Sequence, residues 1–165
     1  MLYKLDKIDE DIICLLQEDG RMSSAEISRR IGDVVTERIV RFRIDKLCRN
    51  GVIHISAFVN PDKVGFPVLA DVWITVENAN VMEVARSLAR LEQVSYVACS
   101  TGDWDISIQI YAHSNLELYT FVNETVIKVP GVKKANFVVL PVVLKDLYDW
   151  RVRANYNPKT DNHKA

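Results

Sequence analysis

Residues 23–51 read SSAEISRRIGDVVTERIVRFRIDKLCRNG, and this stretch contains the start signals of two short consecutive helices. Ser23 is followed by Glu26 at the spacing of a capping box, and Gly32 provides a stop for the first helix. Thr36 is the predicted N-cap of the second helix. Two short helices joined by a tight turn are typical of a helix-turn-helix.

A further helix precedes this pair. It opens at Asp6, whose side chain can cap the first backbone amides, and Gly20 follows it as a stop. Apolar residues recur along it at helical spacing: Leu5, Ile8, Ile12, Leu15 and Leu16. The sequence therefore predicts a helix-turn-helix domain of three helices over residues 1–51.

The sequence period changes after the third helix. Residues 52–59 are rich in strand-forming side chains and predict a strand, as in a winged-type helix-turn-helix with a β-hinge behind it. Two prolines and a glycine follow between Asn60 and Pro67. We therefore place a β-hinge or linker over residues 52–66.

The second half of the chain alternates apolar strands with amphipathic helices in the order βαββαβ. This order predicts an α+β protein in which residues 67–148 form a ferredoxin-like antiparallel sheet with both helices on one face. Residues 149–165 lose the periodicity and are assigned to a C-terminal tail.

The other face of the predicted sheet carries aromatic side chains. Trp73, Tyr96 and Tyr111 fall near it by strand alternation. A large aromatic surface on one side of a sheet predicts burial by another subunit.

Composition narrows the class of protein. With 48% apolar and 26% charged residues the chain is neither disordered nor of low complexity. No run of about 18 apolar residues would span a membrane, and the charged first twenty residues are no secretory signal, so we expect a cytoplasmic protein. Cys14, Cys48 and Cys99 are far apart and predict reduced, buried thiols.

Charge is unevenly distributed along the chain. The formal net charge of −1 argues against nucleic acid as a partner. Residues 36–50, however, hold five basic against two acidic side chains, so this segment carries +3 and the other 150 residues sum to −4. The basic island coincides with the predicted third helix.

The third helix is the strongest candidate for a functional surface. Its predicted inward stripe is Val40, Ile44 and Leu47. Its outward side then presents Arg38, Arg41, Phe42, Asp45 and Arg49. Arginine binds guanine bidentately and an aromatic edge contacts the thymine methyl, so this face suits the major groove of double-stranded DNA.

Roles on this helix follow from these chemistries. Base-edge contacts are assigned to Arg38, Arg41 and Phe42. Phosphate contacts or structural ion pairs are assigned to Thr36, Arg43, Lys46 and Arg49. The alternative is a solvated charged face with Phe42 packed in the core.

Several different short motifs occur in a specific order along the chain. In the first half they are Leu5-Asp6, Asp9, Ile12-Ile13, Leu16-Gln17-Glu18-Asp19-Gly20-Arg21, Ser23, Glu26-Ile27, Ile31-Gly32, Arg43-Ile44, Leu47 and Gly51-Val52-Ile53. In the second half they are Thr101-Gly102-Asp103-Trp104-Asp105 and Pro130-Gly131-Val132. In this order and spacing, residues 4–148 resemble the Lrp/AsnC (feast/famine) transcription regulators.

The resemblance implies a DNA-binding helix-turn-helix joined by a β-hinge to an amino-acid-sensing, RAM-type domain. Family members dimerise through the sheets of that domain and often assemble into octamers. Their small-molecule effectors bind between subunits, at positions that match Thr101, Gly102, Asp103, Trp104, Asp105 and Gly131. Gly102 would let the backbone approach an effector, and Asp103 or Asp105 would pair with an α-amino group. The same two aspartates fit plain turn chemistry and capping equally well.

Two departures from the family pattern bear on function. Residues 33–36 stand where family members usually have a Leu-Ser-like pair, so the turn before the third helix is longer by two residues. The sequence therefore leaves open how the third helix tilts in the DNA groove. On the last strand, Ala135 and Phe137 stand where the family often has threonines. Because Phe137 would crowd a polar pocket, we expect a different effector or none.

Other classes of function stay open as alternatives. Haem-pathway decarboxylases resemble the same family, but a porphyrin-sized substrate needs a basic cleft, and the second half offers only scattered basic residues. A third hypothesis is a module that senses a metabolite and oligomerises without specific DNA sites. No nucleophile spacing, paired zinc ligands or glycine-rich phosphate loop occurs, so we predict no enzyme, cofactor or metal.

Overall fold

The computed structural model describes residues 3–32, 35–77 and 80–146. They form two compact units. The first contains the residues up to Phe58, joined by Lys145 and Asp146, and the second runs from Val59 to Leu144. The C-terminal tail predicted over residues 149–165 lies outside the described residues.

The described residues of the first unit form three helices, α1 (Lys7–Glu18), α2 (Ser24–Ile31) and α3 (Glu37–Arg49). Each begins where the sequence predicts. The side chains of Asp6, Ser23 and Thr36 accept hydrogen bonds from the backbone of the residue three positions on. The helix-turn-helix is therefore confirmed, and the caps fix where each helix starts.

The capping box forms at a different helix from the one predicted. Ser23 accepts from the Glu26 amide, but the Glu26 carboxylate binds Arg29. The reciprocal box lies at α1, where Asp6 accepts from the Asp9 amide and the Asp9 carboxylate accepts from the Asp6 amide. Asp9 therefore forms, at α1, the reciprocal hydrogen bond that the sequence predicted for Glu26 at α2.

The core of the first unit lies between the three helices. Its buried residues are Ile12, Ile13, Ile27, Val35, Val40 and Leu47. Ile44 packs against them partly buried, so the inward stripe of α3 is confirmed. Val35, in the longer turn, is held by Ser28, whose hydroxyl donates to the Val35 carbonyl at 2.5 Å.

The strand predicted over residues 52–59 is wrong for the single chain. Val52 and Ile53 pack against the helical core, and residues 54–60 are exposed with no strand pairing. A strand needs a neighbour for its backbone hydrogen bonds, and the described part of this chain supplies none there. The β-hinge predicted over residues 52–66 therefore contains no paired strand in the described chain.

The second unit is a four-stranded antiparallel sheet covered by helices. Its elements are β1 (Val68–Val76), α4 (Val81–Leu88), β2 (Val94–Cys99), β3 (Ile106–Ala112), α5 (Asn115–Phe121) and β4 (Val132–Val139). A wider helical turn over Val122–Val126 extends α5. The strand order β2-β3-β1-β4 confirms the ferredoxin-like arrangement.

Strand alternation builds the core of the second unit. The inward residues of β1 and β3 are Ala70, Val72, Ile74, Ile106, Ile108, Ile110 and Ala112. Apolar residues of α4 and α5, including Leu88 and Leu118, cover them, so both helices lie on one face. The opposite face carries a hydrogen bond from Gln109 to Asp71 and the half-exposed Tyr96.

Two further details concern residues that the sequence singled out. Ala135 and Phe137 pack against the helix-covered core, because they alternate inward with their β1 partners Ile74 and Val72. Phe137 is therefore part of the apolar core of its own chain, and its effect on an effector site between subunits stays a prediction. Cys48 and Cys99 are exposed rather than buried, whereas Cys14 is half-buried.

None of the helices among the described residues is both long and apolar enough to cross a membrane.

Candidate functional site

The outward face of α3 forms a shallow concavity of about 660 Å³. Its lining residues are Thr36, Glu37, Arg38, Arg41, Phe42 and Asp45. Phe42 has 63% of its surface exposed, so the alternative that packs this ring in the core is wrong. We call this concavity the reading face.

The two arginines of the reading face differ in their contacts. Arg38 is exposed and makes no hydrogen bond or ion pair with the described residues. Arg41 donates from Nη2 to Oε1 of Glu37, one turn earlier, at 2.5 Å. Both guanidiniums remain largely in solvent and available to a ligand.

Three more of the predicted contact residues flank the reading face or line its edge. Thr36 Oγ1 accepts from the Ile39 amide at 3.4 Å and so serves first as the helix cap. The Lys46 ammonium lies 5.5 Å from the centroid of the Tyr3 ring. Arg49 donates from Nε to the Asp45 carbonyl at 3.3 Å. All three are exposed.

Arg43 faces inward from α3 and not toward the reading face. Its Nη1 donates to Asp6 Oδ2 at 2.6 Å and to Asp9 Oδ1 at 2.8 Å. The Arg43 guanidinium holds the pKa of Asp6 below its ordinary value, and the two carboxylates raise the pKa of Arg43. The ion pairs connect α3 to the capping box of α1, so Arg43 orients the helix that carries the reading face.

The buried partner in this cluster is Asp9, which is 4% exposed. In the sequence Asp9 stands out as a member of the family motifs, and nothing there predicts its pairing with Arg43. The two residues lie 34 positions apart, and no spacing rule identifies such a pair. The signal available in the sequence is an acidic residue one turn into an amphipathic helix, next to its apolar stripe.

In the second unit, the predicted effector loop is tied to the end of β1. Asp105 accepts at Oδ2 from the Val76 amide at 2.8 Å, and its own amide donates to the Ile74 carbonyl. Gly131 accepts at its carbonyl from the Glu77 amide at 2.9 Å. Because Val76 and Glu77 are consecutive, the structure brings the loop and Gly131 together.

The carboxylates of Asp103 and Asp105 therefore differ in whether they are available to a ligand. The Asp105 carboxylate is used in the fold, whereas Asp103 is exposed and unpaired within the described residues. Gly102 has φ +136°, and a Cβ added there would meet nothing within 4 Å. The glycine is required by its backbone conformation and leaves open space above the loop.

Other members of the loop are held by local contacts. Ser100 donates from its hydroxyl to the Trp104 carbonyl at 2.6 Å, and the Lys134 ammonium lies 5.8 Å from the Trp104 ring centroid. Thr101 is exposed at the start of the turn. The loop is thus a fixed turn that presents Thr101, Gly102 and Asp103 to solvent.

A helix-turn-helix with an exposed, arginine-bearing third helix, followed by a ferredoxin-like unit with an ordered polar loop, defines a regulator with separate DNA-binding and ligand-binding parts. Residues 5–47 match the AsnC-type helix-turn-helix domain, and residues 69–147 match the Lrp/AsnC ligand binding domain. The chain belongs to the Lrp/AsnC family of transcription regulators.

Individual relatives agree with this membership. An uncharacterized HTH-type transcriptional regulator of Pyrococcus abyssi is 41% identical over 86% of this chain and 89% of its own length. The HTH-type transcriptional regulator FL11 of Pyrococcus abyssi is 35% identical over 85% of this chain and 91% of its own.

Solved structures have the same fold. A transcriptional regulator of Neisseria meningitidis, described as a complex with L-Met, superposes with a TM-score of 0.79 at 25% identity, over 87% of this chain and 94% of that one. Escherichia coli AsnC superposes with a TM-score of 0.79 at 19% identity, over 88% of this chain and 99% of that one.

Proposed function

We propose that this regulator reads double-stranded DNA with the reading face of α3 inserted in the major groove. Arg38 and Arg41 donate to guanine edges, and Phe42 contacts a thymine methyl. The observation that carries the proposal is the exposure of these three side chains on a helix whose opposite stripe is buried at Val40 and Leu47 and half-buried at Ile44. Arg43 is a positioning residue, and Lys46 and Arg49 contact phosphates from the flanks.

The proposed binding unit is a homodimer. One α3 offers only a small basic surface, whereas two helices related by a two-fold axis read half-sites about one helical turn apart. The face of the sheet opposite the helices supports this assembly. On that face Tyr96 is 52% exposed and Trp73 is only half-buried. Assembly to an octamer, as the resemblance implies, is a further step of the same proposal.

Gel-shift titration tests the DNA-binding proposal. The full chain is titrated against the promoter of its own gene and against random duplex of equal length. We expect specific binding to exceed random binding by at least about a thousandfold at physiological salt. Equal affinity for the two duplexes would favour the alternative of an oligomerising module without specific DNA sites.

A lysine at the edge of the reading face provides the first mutational prediction. We expect Lys46→Ala to weaken binding to operator and random DNA alike, because a phosphate contact carries no sequence information. The slope of log affinity against log salt should fall by about one for each bound helix. Lys128→Ala is the control, since Lys128 lies in the second unit in an exposed ion pair with Glu124. An unchanged slope for Lys46→Ala would refute the phosphate contact.

We further propose that the loop at Thr101–Asp105 binds an amino acid. Amides at Gly102 and Asp103 hold the carboxylate, and the Asp103 carboxylate pairs with the α-amino group. The free Asp103 carboxylate beside the open space at Gly102 supports this assignment. The structurally similar regulator of Neisseria meningitidis is described as a complex with L-Met, which supports an amino acid as the ligand class.

Thermal-shift titration with the twenty amino acids tests the effector proposal. A ligand that binds only the folded protein stabilises it by about 2.7 kcal/mol at a hundred times its dissociation constant. We expect Asp103→Asn to abolish the shift without changing the midpoint of the free protein. Asp105→Ala should instead lower that midpoint, because it removes the acceptor of the Val76 amide. A full ligand shift in Asp103→Asn would contradict the proposal.

We also propose that this regulator has no enzymatic activity. Membership of a family of transcription regulators supports it. Two of the scattered basic residues that a porphyrin-sized substrate would need, Lys128 and Lys133, are in ion pairs with Glu124 and Glu77. A change in porphyrin absorbance on mixing would favour the decarboxylase-like alternative.

A further inference from the structure

Glu37 is an acidic residue placed where DNA phosphates would repel it. It is the first residue of α3, immediately after the Thr36 cap, and it lines the reading face together with Arg41. Residues near the N-terminus of a recognition helix are those that contact base edges. The reading face also carries Asp45, so its two acidic side chains cancel the charges of Arg38 and Arg41.

The local contacts of Glu37 leave one of its oxygens available. Oε1 accepts from Arg41 Nη2 at 2.5 Å, whereas Oε2 has no hydrogen-bond partner among the described residues. Arg41 uses one of its five N–H donors in this pair and keeps the others. The pair therefore presents an acceptor and a donor fork side by side.

In the major groove this combination matches one base pattern. A carboxylate accepts from the N4 amino group of cytosine, and an arginine fork donates to O6 and N7 of guanine. The two side chains are hydrogen-bonded, and neighbouring base pairs are about 3.4 Å apart along each strand. Their targets must then lie in the same or adjacent base pairs.

On this basis we propose that Glu37 is a specificity-determining residue, which selects a cytosine within one base pair of the guanine bound by Arg41. The inference rests on the proposed DNA-reading function and deepens it. Because the carboxylate repels phosphate, Glu37 also lowers the affinity for DNA that lacks the cytosine. It therefore separates the two kinds of DNA both by a favourable contact with one and by repulsion from the other.

The test compares the full chain with Glu37→Gln and with the matched control Asp45→Asn. Each variant removes one negative charge from the reading face, but only Glu37→Gln alters the group that holds Arg41. Operator duplex is first selected from a random-sequence library with the wild type, and each base pair is then substituted in competition assays.

At one position per half-site, we expect the preference for cytosine over the other bases to be about tenfold weaker in Glu37→Gln than in the wild type. The binding of Glu37→Gln to random duplex should rise as much as that of Asp45→Asn, which keeps the cytosine preference. Unchanged preferences at every position in Glu37→Gln would overturn the inference, as would an equal loss in Asp45→Asn. A wild-type chain that selects no sequence would instead overturn the DNA-reading function itself.

Discussion

We expect Arg41→Ala to weaken binding to a specific operator by about 1–3 kcal/mol per half-site, while binding to random duplex changes much less. The reason is that a guanidinium on a base edge contributes only where the base is correct. Arg41 is positioned for this by the hydrogen bond from its Nη2 to Glu37. Competition gel shift with operator and random duplex measures the two affinities.

The control for this prediction is Arg49→Ala. Arg49 lies on the same helix and carries the same charge, but its guanidinium folds back on the Asp45 carbonyl, and it does not line the reading face. Its loss should weaken operator and random DNA equally. If Arg41→Ala behaves in the same way, Arg41 is a phosphate contact and the assignment of base reading to it is wrong.

The second large effect concerns stability. Arg43→Met should destabilise the helix-turn-helix unit by about 3 kcal/mol, because it leaves the buried Asp9 carboxylate without its cation. The Arg43 side chain is only 24% exposed, so solvent screens this pair weakly. Amide hydrogen exchange of α1 and α3 in the full chain measures the loss in the unit concerned.

An exposed ion pair in the same unit serves as the control. Arg29→Met removes the same charge from α2, where Arg29 binds Glu26 in solvent. We expect this variant to lose no more than about 1 kcal/mol, the range of surface pairs. A loss in Arg43→Met as small as that in Arg29→Met would contradict the structural role of the cluster.

Acid provides an independent check on the same cluster. The hydrogen bond from Arg43 lowers the folded-state pKa of Asp6 below its ordinary 3.8. A depressed carboxyl pKa stabilises the fold above pH 3.8, and this contribution disappears as pH falls through the folded value. The stability difference between wild type and Arg43→Met should therefore narrow below about pH 4.

Local signals in the sequence predict most of the helical unit. Asp6, Ser23 and Thr36 cap the helices that they were expected to cap, since a cap depends on residues three positions apart. The exposed face of α3 follows in the same way from the buried stripe of Val40 and Leu47. Strand alternation likewise predicts the inward faces of β1 and β3.

What the sequence does not predict is contact between distant segments. The pairing of Arg43 with Asp9 and the use of Asp105 by the Val76 amide join residues about 30 positions apart. The strand expected over residues 52–59 fails for a related reason. β-propensity describes a side chain, but a strand exists only where another backbone lies beside it.

The most direct test of the account is selection of duplex DNA from a random library by the full chain and by the triple variant Arg38→Ala, Arg41→Ala, Phe42→Ala. All three side chains are exposed, so the variant should fold as the wild type does, which circular dichroism checks. We predict that the wild type enriches an inverted repeat with half-sites about 10 base pairs apart and that the variant enriches no motif. The same motif enriched by both proteins would contradict the claim that the reading face of α3 reads the operator.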